Sequence, residues 1–321
     1  MANRVVYFNG DFVPESEARV SIFDSALMYG DMAFDMTRTY GQKPFHLRSH
    51  IERIYAALEL MEIDCGMSRD EMEKATLETL ERNVPTEADD MDWQIMHDVS
   101  RGPMPSYRTA FPDGLRPTVS INCWPLITHT GAFAPNYDSG VSLGIPAQQA
   151  LPAYLIDPKA KTRSRLHYQM ANLQAARMGN VLPLLLDTDG FIAEGTGWNI
   201  FLVRDGVLYT PEPRNILLGV SRRVTMELAV EEGIEVREAN LGRYEALRAD
   251  EMFCTATTYA LCHANSFEGQ PVGDGTPGPI FKKLMAAWKQ RAGIDFVAQA
   301  KDYASRLQEW EKREQEAMAI A

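Results

Sequence analysis

The chain has 321 residues, 45% hydrophobic and 24% charged, which supports one large or two modest folded domains and excludes a disordered or low-complexity protein. A net charge of -12 argues against nucleic acid as a partner, because phosphate backbones are bound by clustered Lys and Arg. There is no basic-then-apolar leader, no apolar run of membrane-spanning length and no zinc or Cys-x-x-Cys spacing among Cys65, Cys123, Cys254 and Cys262, so a cytoplasmic protein with buried free thiols and no membrane contact is expected.

The alternation from Val5 to Phe12 around Asn9-Gly10 predicts two short strands joined by a tight turn. Ile51, Ile54, Tyr55, Leu58 and Met61 recur at helical spacing, and a second helix from Ser68 to Val84 opens with the capping box Ser68-x-x-Glu71. Strands return at Trp93 to Ser100 and Pro117 to Trp124. The passage from Thr128 to Gly140 has little periodicity and reads as a linker between a small N-terminal domain, 1–127, and a large C-terminal domain, 141–321.

In the second half, Ser142 to Ile145 reads as a strand and Leu166 to Met178 as a helix closed by Gly179. Leu182 to Asp187, Asn199 to Arg204 and Val207 to Thr210 read as strands punctuated by Asp-Gly pairs. Ser221 to Glu232 is a helix, Met252 to Thr257 a strand, and Pro279 to Arg291 an amphipathic helix. A Glu- and Lys-rich segment from Phe296 to Met318 forms an extra C-terminal helix with one apolar stripe. Runs of strands broken by grouped helices define an α+β fold.

The stretch from Asp157 to Val203 carries the chemistry. Lys159 and Lys161 alternate with a small residue, so in extended chain both face one side, just ahead of a helix. Arg163 and Arg165 nearby would help such a lysine lose its proton, and a neutral amine can attack a carbonyl carbon. A solvated basic loop is the plain alternative. Glu194 lies between the turn Asp189-Gly190 and the small residues Gly195-Thr196-Gly197, where backbone can approach a ligand closely. A carboxylate there could bind a pyridinium nitrogen.

Lys161, Gly179, Asp189-Gly190 and Glu194-Gly195-Thr196-Gly197-Trp198-Asn199-Ile200-Phe201 together resemble the class IV pyridoxal-phosphate-dependent aminotransferases. Further blocks in the same order extend the resemblance over most of the chain: Phe45-His46-Leu47-x-x-His50-Ile51-x-Arg53, Leu218-Gly219-Val220-Ser221-Arg222 and Ala249-Asp250-Glu251-Met252-Phe253. It implies a two-domain, fold type IV enzyme similar to D-amino-acid aminotransferase, with a small α/β domain and a larger β-barrel-like domain with flanking helices. It also implies pyridoxal 5'-phosphate as cofactor, an amino donor and a keto-acid acceptor as substrates, and a homodimer.

Residue by residue, the resemblance implies Lys161 as the catalytic lysine that joins the cofactor, with Lys159 as its alternate. Glu194 would meet the ring nitrogen, with Asn199 in the same run. Arg53, Val220, Ser221, Thr257 and Thr258 would surround the phosphate. Arg165 stands where many members carry an aromatic residue facing the cofactor's phenolic oxygen, and Tyr168 or His167 could replace it. Tyr29, Phe34 and Arg38 match the segment that lines the substrate pocket. Arg108 lies in a second lining loop, Val99 to Thr109, which resembles that of D-amino-acid and (R)-amine transaminases and could hold a carboxylate. Branched-chain L-amino acids, D-amino acids and (R)-amines all stand as donors. The alternative activity is release of pyruvate by an aminodeoxychorismate-lyase-type reaction.

Overall fold

The computed structural model describes residues 4–179 and 181–319, so the first letters of the segment inspected for a leader lie outside the described residues. The chain forms two compact units. One is built from Met1–Ala132, Ala160–Arg165 and Asp302–Ala321, the other from Phe133–Lys159 and Leu166–Lys301.

The first unit opens with a hairpin of β1 (Val5–Phe8) and β2 (Asp11–Pro14). Its turn residues Asn9 and Gly10 both take positive φ, +52° and +106°, the geometry that a two-residue hairpin requires. A short helix α1 (Ser25–Tyr29) leads into the long strand β3 (Met32–Tyr40), followed by β4 (Lys43–Pro44). Helices α2 (Leu47–Leu60) and α3 (Arg69–Asn83) come next, and the Ser68–Glu71 capping box opens α3 as its sequence requires. The strands β5 (Trp93–Ser100) and β6 (Thr118–Pro125) complete a six-stranded sheet of order β2-β1-β6-β5-β3-β4, and the named pairs are antiparallel. Ile51, Ile54 and Leu58 of α2 and Met72 of α3 join Trp93, Ile95, Val99 and Ile121 of the sheet in one core.

The passage 128–140 is not a linker without structure. It carries helix α4 (Ile127–Phe133) and helix α5 (Asn136–Ser139), both too short for sequence periodicity to reveal. Small Gly131 lets α4 press on the backbone of Tyr303, where an added Cβ would lie 3.1 Å from it. The division between the units falls inside α4.

In the second unit a nine-stranded sheet is formed by β7 (Val141–Gly144), β8 (Leu182–Leu186), β9 (Ile192–Gly195), β10 (Asn199–Arg204), β11 (Val207–Pro211), β12 (Val236–Ala239), β13 (Glu251–Ala256), β14 (Ala260–Phe267) and β15 (Gln270–Pro271). Its order is β12-β11-β10-β13-β14-β7-β8-β9, with β15 on β14. The helices α6 (Leu166–Arg177), α7 (Val220–Glu231), α8 (Arg243–Leu247) and α9 (Pro279–Ala292) connect or flank the strands. Leu143, Ile200, Leu202, Met252 and Phe267 fill its core. Thr257 is not in a strand, as the sequence suggested, but in the turn between β13 and β14.

The C-terminal helix α10 (Phe296–Ala319) corrects the expected domain boundary, because from Asp302 onward it groups with the first unit. Tyr303 and Trp310 are buried against Met91, Leu126 and Ile127. The Tyr303 hydroxyl accepts from the Asp92 amide at 2.7 Å and donates to the Asp90 carbonyl at 3.0 Å. All four cysteines are buried and free. No helix among the described residues is long and apolar enough to cross a membrane.

Candidate active site

In the first unit, β4 covers only the far end of β3, pairing with Thr39 and Tyr40. Lys161 to Arg163 occupies the near end. Phe34 donates its amide to the Lys161 carbonyl at 2.9 Å, Arg163 donates to the Met32 carbonyl at 2.8 Å, and Ala33 faces Thr162 in an antiparallel bridge. This pairing places Lys161, Arg163 and Phe34 on one face, because alternate residues of a strand share a side. The Lys161 Nζ lies 4.9 Å from the Phe34 ring centroid, the Arg163 Cζ 3.9 Å and the Arg165 Cζ 5.2 Å.

Asp98 stands directly across from Phe34 on β5 and accepts from Arg163 Nε at 2.9 Å and Nη2 at 2.7 Å. Burial raises the Asp98 carboxyl above its ordinary range against the opposing pull of Arg163. The end of the lysine segment is held from α1 as well: the Ser164 hydroxyl lies 3.2 Å and 3.1 Å from the carbonyls of Tyr29 and Gly30. Gly30 has φ +68°, and a Cβ there would sit 2.8 Å from Ser164 Oγ, so glycine is required on both counts.

The opposite face of β3 carries Asp35, fully buried. Its carboxylate accepts from Arg53 Nε at 2.7 Å and Nη2 at 2.8 Å, and from His50 Nδ1 at 2.7 Å. Burial alone would raise the Asp35 pKa, but Arg53 and His50 outweigh it and hold the carboxyl well below its usual range. Burial lowers the His50 pKa, against the pull of Asp35. Arg38 is buried too: its Nε donates to the Thr39 carbonyl, its guanidinium rests on the Tyr40 ring at 4.0 Å, and Asp92 lies 3.8 Å away. Tyr29 and Arg108 are exposed, the latter donating to the Pro105 carbonyl at 3.2 Å.

In the second unit, Glu194 is buried at the end of β9. It accepts from the Tyr168 hydroxyl at 2.7 Å, Asn199 Nδ2 at 3.1 Å and the Leu217 amide at 3.0 Å. Gly195 follows it because a Cβ would fall 1.9 Å from the Trp198 ring. Helix α7 starts at Val220 with Gly219 as N-cap and no side-chain cap bond, so its first amides can serve an anion. Val220 and Ser221 are buried there. A Cβ on Gly219 would strike Asn199 Oδ1 at 2.2 Å, so this helix end and the Glu194 ligand Asn199 are packed together. Thr257 and Thr258 form the turn after β13. Lys159 also belongs to this unit, and its Nζ lies 3.4 Å from Asp157 and 3.3 Å from the Arg214 carbonyl.

Sequence reading singled out Lys161, Arg53, Glu194 and Asn199 but not the groups that hold them. Asp35 has no role in the sequence reading, because nothing near it in the chain marks it as the partner of Arg53. Asp98 lay among strand residues without a motif. Tyr168, offered with His167 by the sequence for the cofactor's phenolic oxygen, donates its hydroxyl to Glu194.

The chain belongs to the class IV aminotransferase family, whose model matches residues 32–266. It is a transaminase. It is 35% identical to a putative branched-chain-amino-acid aminotransferase of Methanocaldococcus jannaschii over 285 residues, 88% of this chain and 95% of the relative. Identity to the branched-chain-amino-acid aminotransferase of Escherichia coli K12 is 31% over 289 residues, 88% and 91% of the two chains. A D-alanine aminotransferase of Bacillus licheniformis is 29% identical over 283 residues, 88% and 95% of the two chains. Among solved structures, the E. coli branched-chain enzyme superposes with a TM-score of 0.80 at 28% identity, covering 90% of this chain and 94% of that one. The T.th. branched-chain amino acid aminotransferase with pyridoxamine 5'-phosphate gives 0.79 at 26%, covering 91% and 95%. These neighbours establish fold type IV for this α+β chain.

Proposed function

We propose that this transaminase uses pyridoxal 5'-phosphate to move an amino group from an amino acid to a 2-keto acid, with Lys161 as its catalytic residue. The observation that carries the reading is Glu194: a buried carboxylate gripped by three donors, beside a helix N-terminus whose amides have no side-chain cap. That donor set fits the cofactor, offering an acceptor to a protonated ring nitrogen and amides to a phosphate. When bound, the cofactor supplies an electron sink for the charge left at the substrate Cα.

The residues of the chain divide the remaining work. Lys161 takes the Cα proton and returns it on the product side, and its backbone pairing with β3 fixes where its amine can reach. Glu194 and Asn199 orient the cofactor ring, and Tyr168 braces Glu194 from helix α6. Arg53, Val220, Ser221, Thr257 and Thr258 hold the phosphate. Tyr29, Phe34, Arg38 and Arg108 line or border the substrate side; Arg38, locked in the strand by Asp92 and Tyr40, acts by shaping it.

The donor is a branched-chain amino acid, a D-amino acid or an (R)-amine, the enzyme works as a homodimer, and its place is the cytoplasm. The two amino-acid classes both occur among the relatives. The three relatives named above are aminotransferases, which favours amino transfer over the lyase reaction.

The test is the visible absorption of the purified protein. Lys161→Ala should abolish the band of the lysine-bound cofactor while Lys159→Ala keeps it, and the reverse pattern would overturn the assignment. Bleaching of the wild-type band by L-leucine or by D-alanine then reads out the donor class.

A further inference from the structure

We propose that Asp35 is a positioning residue that sets the guanidinium of Arg53 for the phosphate of the cofactor. The proposal rests on the reading above that Arg53 meets that phosphate. Asp35 is fully buried on β3, and Arg53 projects from the facing helix α2 with only 11% of its side chain accessible. The pairing is bidentate, Nε to Oδ2 at 2.7 Å and Nη2 to Oδ1 at 2.8 Å. A planar guanidinium held by one edge has its plane and its opposite edge fixed in direction.

The surroundings fix the carboxylate in turn. His50, one turn before Arg53 on α2, reaches Oδ1 at 2.7 Å, and the Met36 amide reaches the same oxygen at 2.7 Å. His97, directly opposite Asp35 in the sheet register, is tied to Thr76 at 2.8 Å. Burial pushes the His97 pKa down to about 4, so its ring is neutral near pH 7 and the cluster carries one anion against one cation. A buried ion pair is a poor device for stability, because desolvation offsets most of its attraction and an apolar pair of similar volume does as well. A device for aiming a long, flexible side chain needs this geometry, since a loose arginine would lose rotamer freedom each time it met an anion. The same carboxylate draws some charge away from Arg53, so the gain is in direction and not in raw attraction.

The experiment compares two ligands that differ only in the phosphate. Purified protein stripped of cofactor is titrated with pyridoxal 5'-phosphate and with pyridoxal, and the ratio of their dissociation constants is taken for each variant. Arg53→Leu should collapse the ratio; if it does not, the phosphate reading itself fails and the proposal falls with it. With that collapse in hand, Asp35→Asn should reduce the ratio by about tenfold while leaving pyridoxal affinity near the wild-type value. In the double variant, Asp35→Asn should add nothing to Arg53→Leu, because its effect passes through that residue.

An unchanged ratio in Asp35→Asn, or an equal loss for both ligands, would overturn the proposal and leave Asp35 a structural residue. So would an additive effect in the double variant. Should Asp35→Asn fail to fold, Asp35→Glu keeps the charge and moves the carboxylate by one methylene, and the same phosphate-selective loss is expected of it.

Discussion

The guanidinium of Arg163 lies over the ring of Phe34, its Cζ 3.9 Å from the centroid, while both its Nε and Nη2 donate to Asp98. Three residues from three segments thus lock one another beside Lys161. The lysine is positioned by this sandwich and by the backbone pairing of its own segment, with no long loop left to order it.

Removing Arg163 leaves Asp98, whose side chain is only 16% exposed, with its cation gone. Arg163→Leu should cost about 1–2 kcal/mol of unfolding free energy near pH 7, a modest figure because the arginine side chain is 38% exposed and partly screened. The Asp98 carboxyl is already raised, so as pH falls through its folded pKa it takes up a proton and the penalty should shrink. Denaturant titrations at two pH values check this. Arg163→Leu combined with Asp98→Leu should recover part of the loss, and simple addition of the two single effects would argue against the coupling.

Acid should destabilise the first unit through His97. Its folded pKa of about 4 lies below the ordinary 6.5, so the unfolded chain binds a proton that the folded one refuses. Stability is therefore whole above about pH 6.5 and falls as pH drops toward 4. Between pH 7.5 and 5 the site should account for about 2 kcal/mol. His97→Gln, which keeps a polar partner for Thr76, should flatten that part of the pH profile, and an unchanged slope would remove His97 as its source.

Tyr168→Phe keeps the ring and deletes the hydroxyl on Glu194. A hydrogen bond to a charged group is worth about 1.5–3 kcal/mol, and kcat should drop by roughly tenfold or more if Glu194 works through its orientation. His167→Phe, at the neighbouring position, should have a smaller effect. Steady-state kinetics with one donor and one acceptor decides between them.

Gly195→Ala drives a Cβ into the indole of Trp198, 1.9 Å away, and a buried aromatic cannot step aside without moving β9 and β10. A loss of about 2–3 kcal/mol in stability is expected, with cofactor affinity falling in parallel because Glu194 is the adjacent residue. Gly190→Ala, with open space around its Cβ but φ +86°, should cost about 1 kcal/mol and leave the cofactor bound.

Much of this was written in the sequence. The capping box at Ser68 and Glu71 gave helix α3 its start, the Asn9-Gly10 turn gave the first hairpin, and the run from Glu194 to Phe201 singled out the carboxylate of the site. Other features have no local signature. The order β2-β1-β6-β5-β3-β4 depends on pairings between residues about a hundred apart, such as Phe8 with Ser120. Strand β3 has no signature because both of its faces are covered, which removes the alternation that marks a half-exposed strand, and α4 and α5 are shorter than the window over which a helical period shows. In the site, the residue types were legible but their partners were not. Nothing near Asp35 in the chain announces that Arg53 will come to it from another element.

The construction of the first unit sets the order in which this protein can be finished. Its first 132 residues emerge from the ribosome well before Ala160–Arg165 covers the edge of β3, and long before Asp302–Ala321 arrives to seat Tyr303 and Trp310. Arg4 waits for Glu314, 310 positions later, to close at 2.8 Å. Until then the nascent sheet carries an open edge and an uncovered apolar patch, the conditions under which a translating chain depends on chaperones or aggregates. The transaminase half that is made first is thus the half that is completed last.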